Sequence, residues 1–398
     1  MRKIKKRILY LCPEVPYPQE TGGQVAFSNH IRVLSETFDV DAVMLNVDQK
    51  PRMVPVEIAE NLSSVKVFPR KYRHVKGLKG FFSAIFLFFR FKYPRAFSVR
   101  INSEAQTYIE SLSNNYDCLI CDHFSSFALF KKKKAQIVYV AHNVEANVLF
   151  DQFRSEKNLI KRFFFYLEYL KTKRVEEEIF KRSNKIITLS LQDKLFLQNR
   201  YPTLVIDNIS ESLPVDPRLW EANSQKIITF MGGSNYFPNY DAIQWIVEEL
   251  QPRLVNSNII INIIGNCSSI LRNNPDYINK SNLNFLGFVP DNKLDDILLK
   301  SSLFISPIIY GSGIKIKVLK ALSLGIPILC TSESLFGLEY LSDLAYLIFN
   351  RKNPDKVKDQ ILELLDDNIS LQNLSDILRT RTIQQAREME LMWEKIIA

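Results

Sequence analysis

The sequence predicts an α/β chain built from two doubly wound parallel sheets. Three observations carry this. Short, continuous apolar runs recur along the chain, separated by segments with apolar residues at helical spacing, the pattern of strands buried on both faces between crossover helices. Glycine turns at Gly22-Gly23, Gly232-Gly233, Gly265 and Gly311-Gly313 follow such runs or precede helices, at the strand ends where open α/β sheets bind ligands. Between Tyr201 and Lys226 the periodicity lapses into a stretch with three prolines, which reads as a connection. The expected layout is a first domain over 1–205, a connection over 206–226, a second domain over 227–375, and a C-terminal helix over 376–398 packing back on the first domain.

In chain order, MRKIKKRILYLCP has too short an apolar run before Pro13 for a signal peptide, so Arg7 to Leu11 is expected as the first strand behind a basic lead. PEVPYPQETGGQ is a punctuated loop, and an amphipathic helix runs from about Val25 to Thr37. Further strands are expected at Asp39 to Asn46, Val65 to Pro69, Asp117 to Asp122, Gln136 to His142 and Lys185 to Ser190. Asp39-Val40-Asp41 has the look of a metal-binding acidic pair but lacks a third carboxylate nearby, so it reads as a turn and strand start. Cys118 and Cys121 are three apart within a strand and point to opposite faces, which favours core packing over a metal or redox pair. The charged helix between Lys157 and Arg182 is expected to pack through Leu159, Phe163, Tyr166, Leu167 and Leu170.

The second series begins with Ile227 to Met231 and the loop GGSNYFPN, and continues through Ile259 to Gly265, Asn284 to Phe288, Ser302 to Ser306 and Pro327 to Cys330. Its densest stretch is SPIIYGSGIKIKVLKALSLGIPILCT, from Ser306 to Thr331. Gly311 and Gly313 flank Ser312 just before Ile314, Val318, Leu319 and Leu322, so bare backbone N–H groups meet a helix N-terminus, an arrangement suited to an anion. Lys315 lies in the first turn, and Lys317 and Lys320 share one helical face. Read alone, the stretch is equally an ordinary αβ connection with a solvated lysine face. A last helix, about Leu371 to Ile396, carries Trp393, whose ring needs a surface to bury against.

Composition narrows the functional classes. The chain has 398 residues, 46% apolar, and a net charge of +9. Up to Tyr201 there are 34 Lys and Arg against 20 Asp and Glu, whereas the remainder has 18 against 23. A basic first half with exposed aromatics suggests an anionic membrane surface or a phosphorylated substrate, and nucleic acid ranks last because no recognised binding module accompanies it. The run Phe81 to Phe91, flanked by Lys76, Lys79, Arg90 and Lys92, is too short to span a bilayer and is expected to touch its surface. Five cysteines scattered over strands give no disulfide framework and suit a reducing cytoplasm. Lys131 to Lys134 reads as a solvated loop.

Six segments in order, PQETGGQ, VAHNVEAN, FMGGSNYFPNYDAIQWI, NLNFLGFVPD, GSGIKIKVLKALSLGIPIL and LMWEKI, resemble a family 4 glycosyltransferase of the bacterial surface-polysaccharide type. The resemblance implies the GT-B fold: two Rossmann-like domains facing across a cleft, with the C-terminal helix crossing back to the first. It implies sugar transfer with retention from a nucleotide-sugar donor to a glycan or lipid-linked acceptor, no obligatory metal or other cofactor, and a cytoplasmic enzyme at the inner membrane face. His142 matches the family's catalytic histidine, which positions donor and acceptor. Gly22 and Gly23 would approach the diphosphate, and Gly232, Gly233, Ser234 and Asn235 would lie beneath it, with Gly265 at a neighbouring strand end. Phe288 and Val289 would meet the base through backbone. Gly311, Ser312, Gly313 and Ile314 would face sugar and diphosphate, with Lys315 or Lys317 neutralising charge.

The chain departs from the family at Lys320, where a ribose-binding glutamate is usual; lysine donates hydrogen bonds but cannot accept them. The ammonium is expected to turn toward the diphosphate beside Lys317, in an active enzyme of altered nucleotide preference. The alternatives are an inactive GT-B scaffold of a membrane-associated glycan assembly and a GT-B epimerase, the latter needing more acid–base groups than the motifs supply.

Overall fold

The computed structural model describes residues 5–19, 21–47, 51–69, 92–112, 116–131, 135–156, 158–311 and 313–397. The run Phe81 to Phe91 with Lys76, Lys79 and Arg90, most of Lys131 to Lys134, and Ser312 lie outside them. The chain divides into two compact units, Met1–Ile209 with Glu390–Ala398, and Ser210–Met389.

The first unit is a seven-stranded parallel sheet of β1 (Arg7–Cys12), β2 (Asp39–Asn46), β3 (Ser64–Pro69), β4 (Cys118–Asp122), β5 (Gln136–Ala141), β6 (Lys185–Thr188) and β7 (Ile206–Asn208), ordered β3-β2-β1-β4-β5-β6-β7. Every inner strand is buried end to end or nearly so, which is why the sequence shows apolar runs rather than alternation. The edge strand β7 falls inside the stretch read as a connection; three residues are too few to show a period. The helix Gly22–Thr37 begins at the glycine pair itself, three residues earlier than expected, because Thr21 and Gln24 close a capping box.

Asp41 is a structural carboxylate, held by the Arg7 guanidinium (2.9 Å) and by the Ser64 and Tyr116 hydroxyls. Cys118 and Cys121 are buried and free. The long helix Leu159–Arg182 differs from expectation. It buries Thr172, Val175, Glu176, Ile179 and Phe180, in its C-terminal half, while Leu159, Phe163, Tyr166 and Leu170 are exposed. Its N-terminal half pairs instead with the helix Glu145–Ser155, through Phe153 against Tyr166 and Phe150 against Tyr169.

The second unit holds β8 (Ile227–Met231), β9 (Ile260–Ile264), β10 (Leu283–Gly287), β11 (Leu303–Ser306) and β12 (Ile328–Cys330), all parallel, in the order β10-β9-β8-β11-β12. The C-terminal helix Asn368–Ile397 begins in this unit and ends in the first. There Trp393 is buried beside His30, ring centroids 5.6 Å apart. Lys6 and Lys185 donate to the terminal carbonyls of Ile397 (2.8 Å) and Ile396 (3.0 Å), satisfying acceptors that every helix end leaves open. Among the described residues no helix is long and apolar enough to cross a membrane.

Candidate functional site

In each sheet the strand order reverses once, beside β1 and β4 in the first unit and beside β8 and β11 in the second. Such switch points splay the connecting loops apart and leave a crevice at the strand ends. The chemistry-bearing residues gather at both.

At the first, Asp122 ends β4 fully buried. Its Oδ2 accepts from the Tyr10 hydroxyl and lies 2.6 Å from His30 Nδ1, and its Oδ1 lies 2.5 Å from His142 Nε2. Burial alone would raise the Asp122 carboxyl, but the charges of His30 and His142, with their hydrogen bonds, outweigh it and hold the group far below the usual carboxylate range. A carboxylate only accepts, so each ring nitrogen facing it carries the proton, and His142 keeps Nδ1 for another partner. The His30 side chain is fully buried, whereas that of His142 is 10% exposed. Of the two rings only that of His142 reaches the surface, and the carboxylate fixes its orientation.

Phe27 packs at 4.9 Å from the His142 ring. Beyond it, His123 takes a positive φ of 77° directly after β4, a strained setting for a non-glycine residue that recurs at functional sites. Its Nε2 lies 3.3 Å from Glu145 Oε1, and its ring centroid lies 5.7 Å from that of His142. Burial opposes ionisation of Glu145, but its hydrogen bond to His123 and that residue's charge bring the carboxyl below its usual value. Glu176, reaching from the long helix, accepts from the backbone N–H groups of Glu145 (2.7 Å) and Ala146 (2.8 Å). Burial and then the charge of Glu145 push Glu176 up to about 8.

The ligand atoms of His30, Asp122 and His142 lie within 4.8 Å of one another, a donor set that divalent metals accept. Here each ring nitrogen sits directly on a carboxylate oxygen, the spacing of shared protons rather than of ligands around an ion. Of this cluster the sequence singles out His142 alone, and not Asp122, His30, Tyr10, His123 or Glu145. The position of Asp122 at a strand end was the available signal.

At the second switch point Gly232 and Gly265 are glycines for close approach. Gly265 has φ of +130°, and a Cβ there would lie 2.7 Å from the Gly232 carbonyl carbon and oxygen. Gly233 is different, since a Cβ would meet nothing nearer than Asn266 O at 3.5 Å, an ordinary contact. Ser234 is buried and committed to Asn266 O (3.2 Å) and Ser269 Oγ (2.5 Å), whereas Asn235 is exposed.

Asn239 donates to Gly233 O (3.0 Å) and accepts from Lys317 Nζ (2.9 Å), joining the two glycine loops. Lys315 folds back onto Gly311 O (2.7 Å) and Gly313 O (2.6 Å), closing its own loop. Ile314 is partly exposed beside Gly313. Phe288 is 72% exposed and Val289 partly so, just beyond Gly287, whose φ is +68°.

The two lysines of the helix Ile316–Ser323 part company. Burial pushes Lys317 down to about 8, and among the described residues no carboxylate pairs with it; its ammonium donates to Asn239 Oδ1. Lys320 Nζ lies 2.6 Å from Asp295 Oδ1, in an ionic cluster where Arg218 also binds Asp216, Asp295 and Asp296. The arrangement expected for Lys320, turned toward a diphosphate beside Lys317, is not the one found. Asp295 lies 25 positions before it in sequence, on the helix Asp291–Leu299, and offers the nearer charge.

Residues 225–367 match the family model for glycosyl transferases group 1. A curated relative from Klebsiella pneumoniae, described as an uncharacterized 44.6 kDa protein in the cps region, is 20% identical over 330 residues, covering 79% of this chain and 80% of its own. Among solved structures, S. aureus TarM with fondaparinux, α-GlcNAc-glycerol and UDP aligns at a TM-score of 0.68 and 12% identity, over 98% of this chain and 99% of that one. WaaG, a glycosyltransferase involved in lipopolysaccharide biosynthesis, aligns at 0.62 and 14%, again over 98% and 99%. The fold is GT-B.

Proposed function

We propose that this GT-B chain, with its group 1 glycosyltransferase segment, moves a sugar from a nucleoside-diphosphate donor to a glycan or lipid-linked acceptor with retention, in the assembly of a surface polysaccharide. The observation that carries the reading is Lys317: a desolvated ammonium tied through Asn239 to the opposite glycine loop, at the switch point of the sheet. As the donor's bond from sugar to phosphate breaks, negative charge grows on the leaving diphosphate, and a part-buried ammonium stabilises that charge more than it stabilises the ground state.

His142 is the proposed sugar contact. Asp122 fixes its orientation, and its remaining nitrogen is available to a sugar hydroxyl. The family resemblance supports retention and transfer without a metal. The capsule-region relative and WaaG support a polysaccharide product, and the UDP in TarM makes uridine nucleotides the first donors to assay. Five free, buried cysteines suit work in the reducing cytoplasm.

The test is nucleotide release from a panel of nucleoside-diphosphate sugars, by the wild type and by His142→Ala. The wild type is expected to release nucleotide from one sugar class, and the variant to lose on the order of 100-fold in kcat while melting lower, because it takes one partner from the buried Asp122 carboxylate, yet staying folded at assay temperature. Full activity in the folded variant would make His142 structural. A second reading, the inactive scaffold, is favoured by Lys320, whose pairing with Asp295 leaves a cation where a ribose acceptor is usual. No release from any donor, alongside retained glycan binding, would establish that reading.

A further inference from the structure

The helices Glu145–Ser155 and Leu159–Arg182 form a hairpin whose root and tip differ in kind. At the root, Glu145 stands three positions after His142 and its helix start is held by Glu176. Along the hairpin, ring contacts between Phe150 and Tyr169 (5.1 Å) and between Phe153 and Tyr166 (5.2 Å) lock the helices together. At the tip, the packing stops. Leu159 is 77% exposed, Ile160 71% and Phe163 54%, three large apolar side chains within five positions, which a water-facing surface does not favour.

Charge accompanies them. Residues 154–163 carry four Lys and Arg against one acidic residue. The Arg162 guanidinium lies over the Phe153 ring at 4.9 Å and that of Arg154 over Phe150 at 5.9 Å, so cationic heads sit on aromatic bodies, as interfacial side chains do. We infer that this tip is a membrane-docking surface, inserting Leu159, Ile160 and Phe163 among acyl chains while Arg154, Lys161 and Arg162 meet anionic headgroups. Apolar residues interleaved with excess positive charge match a leaflet of anionic lipid, with affinity drawn from both terms. A second copy of this chain pairing through the same face would set its basic residues against their equivalents.

The hairpin also sets a distance. An 11-residue helix spans about 16 Å, so an acceptor anchored at the lipid surface would present its reacting hydroxyl about that far above the tip. That corollary rests on the transferase reading, whereas docking does not.

The test is flotation of the full chain with vesicles of phosphatidylcholine alone, or with about one-third phosphatidylglycerol, at low and high salt. The wild type is expected to float with the anionic vesicles and to be released as salt screens the headgroups. Ile160→Ser with Phe163→Ser should weaken binding about tenfold or more, and Lys161→Glu with Arg162→Glu should remove the preference for anionic lipid; both should keep the wild-type melting temperature. Wild-type binding that survives these changes, equal binding to neutral vesicles, or no binding at low salt would each overturn the inference. So would a dimer in solution that Ile160→Ser with Phe163→Ser dissolves, because the face would then belong to a second copy.

Discussion

Asp122→Ala is expected to lower stability by about 3 to 5 kcal/mol, the range for removing one partner of a buried ionic set, and to abolish transfer in the protein that still folds. Three groups converge on this carboxylate, from β1, from the helix Gly22–Thr37 and from the residue after β5. Its loss would leave Tyr10 and two histidines facing a void. Asp122→Asn separates the roles: the shape is kept, but an amide nitrogen now faces one ring nitrogen, and that ring must change its protonation or turn away. A loss on the order of 100-fold in kcat with most of the melting temperature retained is expected.

The pH dependence has a definite sign. The folded carboxyl lies below its unfolded value of about 3.9, so the stability it contributes is complete at neutral pH and is lost as pH falls through the acid range. The margin of the wild type over Asp122→Asn should therefore be widest near neutrality and shrink as pH falls, measured by denaturant melts followed by circular dichroism. A margin that does not change with pH would deny the carboxylate its charge-paired role.

Lys317→Ala is expected to weaken nucleoside diphosphate binding by about 1.5 to 3 kcal/mol, the worth of a hydrogen bond to a charged group, with little effect on the nucleoside alone. The residue also gives the site a pH signature. Because burial brings the ammonium down to about 8, wild-type affinity should decline as pH rises through that value and the cation discharges, while the variant stays flat there. Diphosphate binding would take up a proton above that pH, seen as a dependence of the calorimetric heat on the buffer's ionisation enthalpy. An equal loss for diphosphate and nucleoside would remove the lysine from the phosphate site.

The sequence showed the sheets clearly because their inner strands are buried on both faces, so apolar residues run on without interruption; β7 escaped because it is an edge of three residues. The glycine loops were legible for a related reason, since backbone approach such as that of Gly265 to Gly232 excludes every side chain. The charged network at Asp122 was not legible. Its partners stand 112, 92 and 20 positions away, and only the parallel order β1-β4-β5 brings them together. Lys320 illustrates the same limit, because its place on the helix was evident but its partner Asp295 was not. The exposed side of the long helix was misread because amphipathic spacing reports an apolar face and not what covers it.

That the second unit receives a nucleoside diphosphate against Lys317 is tested most directly by calorimetry of the full chain against a panel of nucleoside diphosphates, their sugars and the parent nucleosides. At least one diphosphate should bind saturably and about tenfold or more tighter than its nucleoside, the factor that about 1.4 kcal/mol of phosphate contact supplies. Absence of binding by every diphosphate and nucleotide sugar at about millimolar concentration, where an affinity of about 4 kcal/mol would still register, would contradict it.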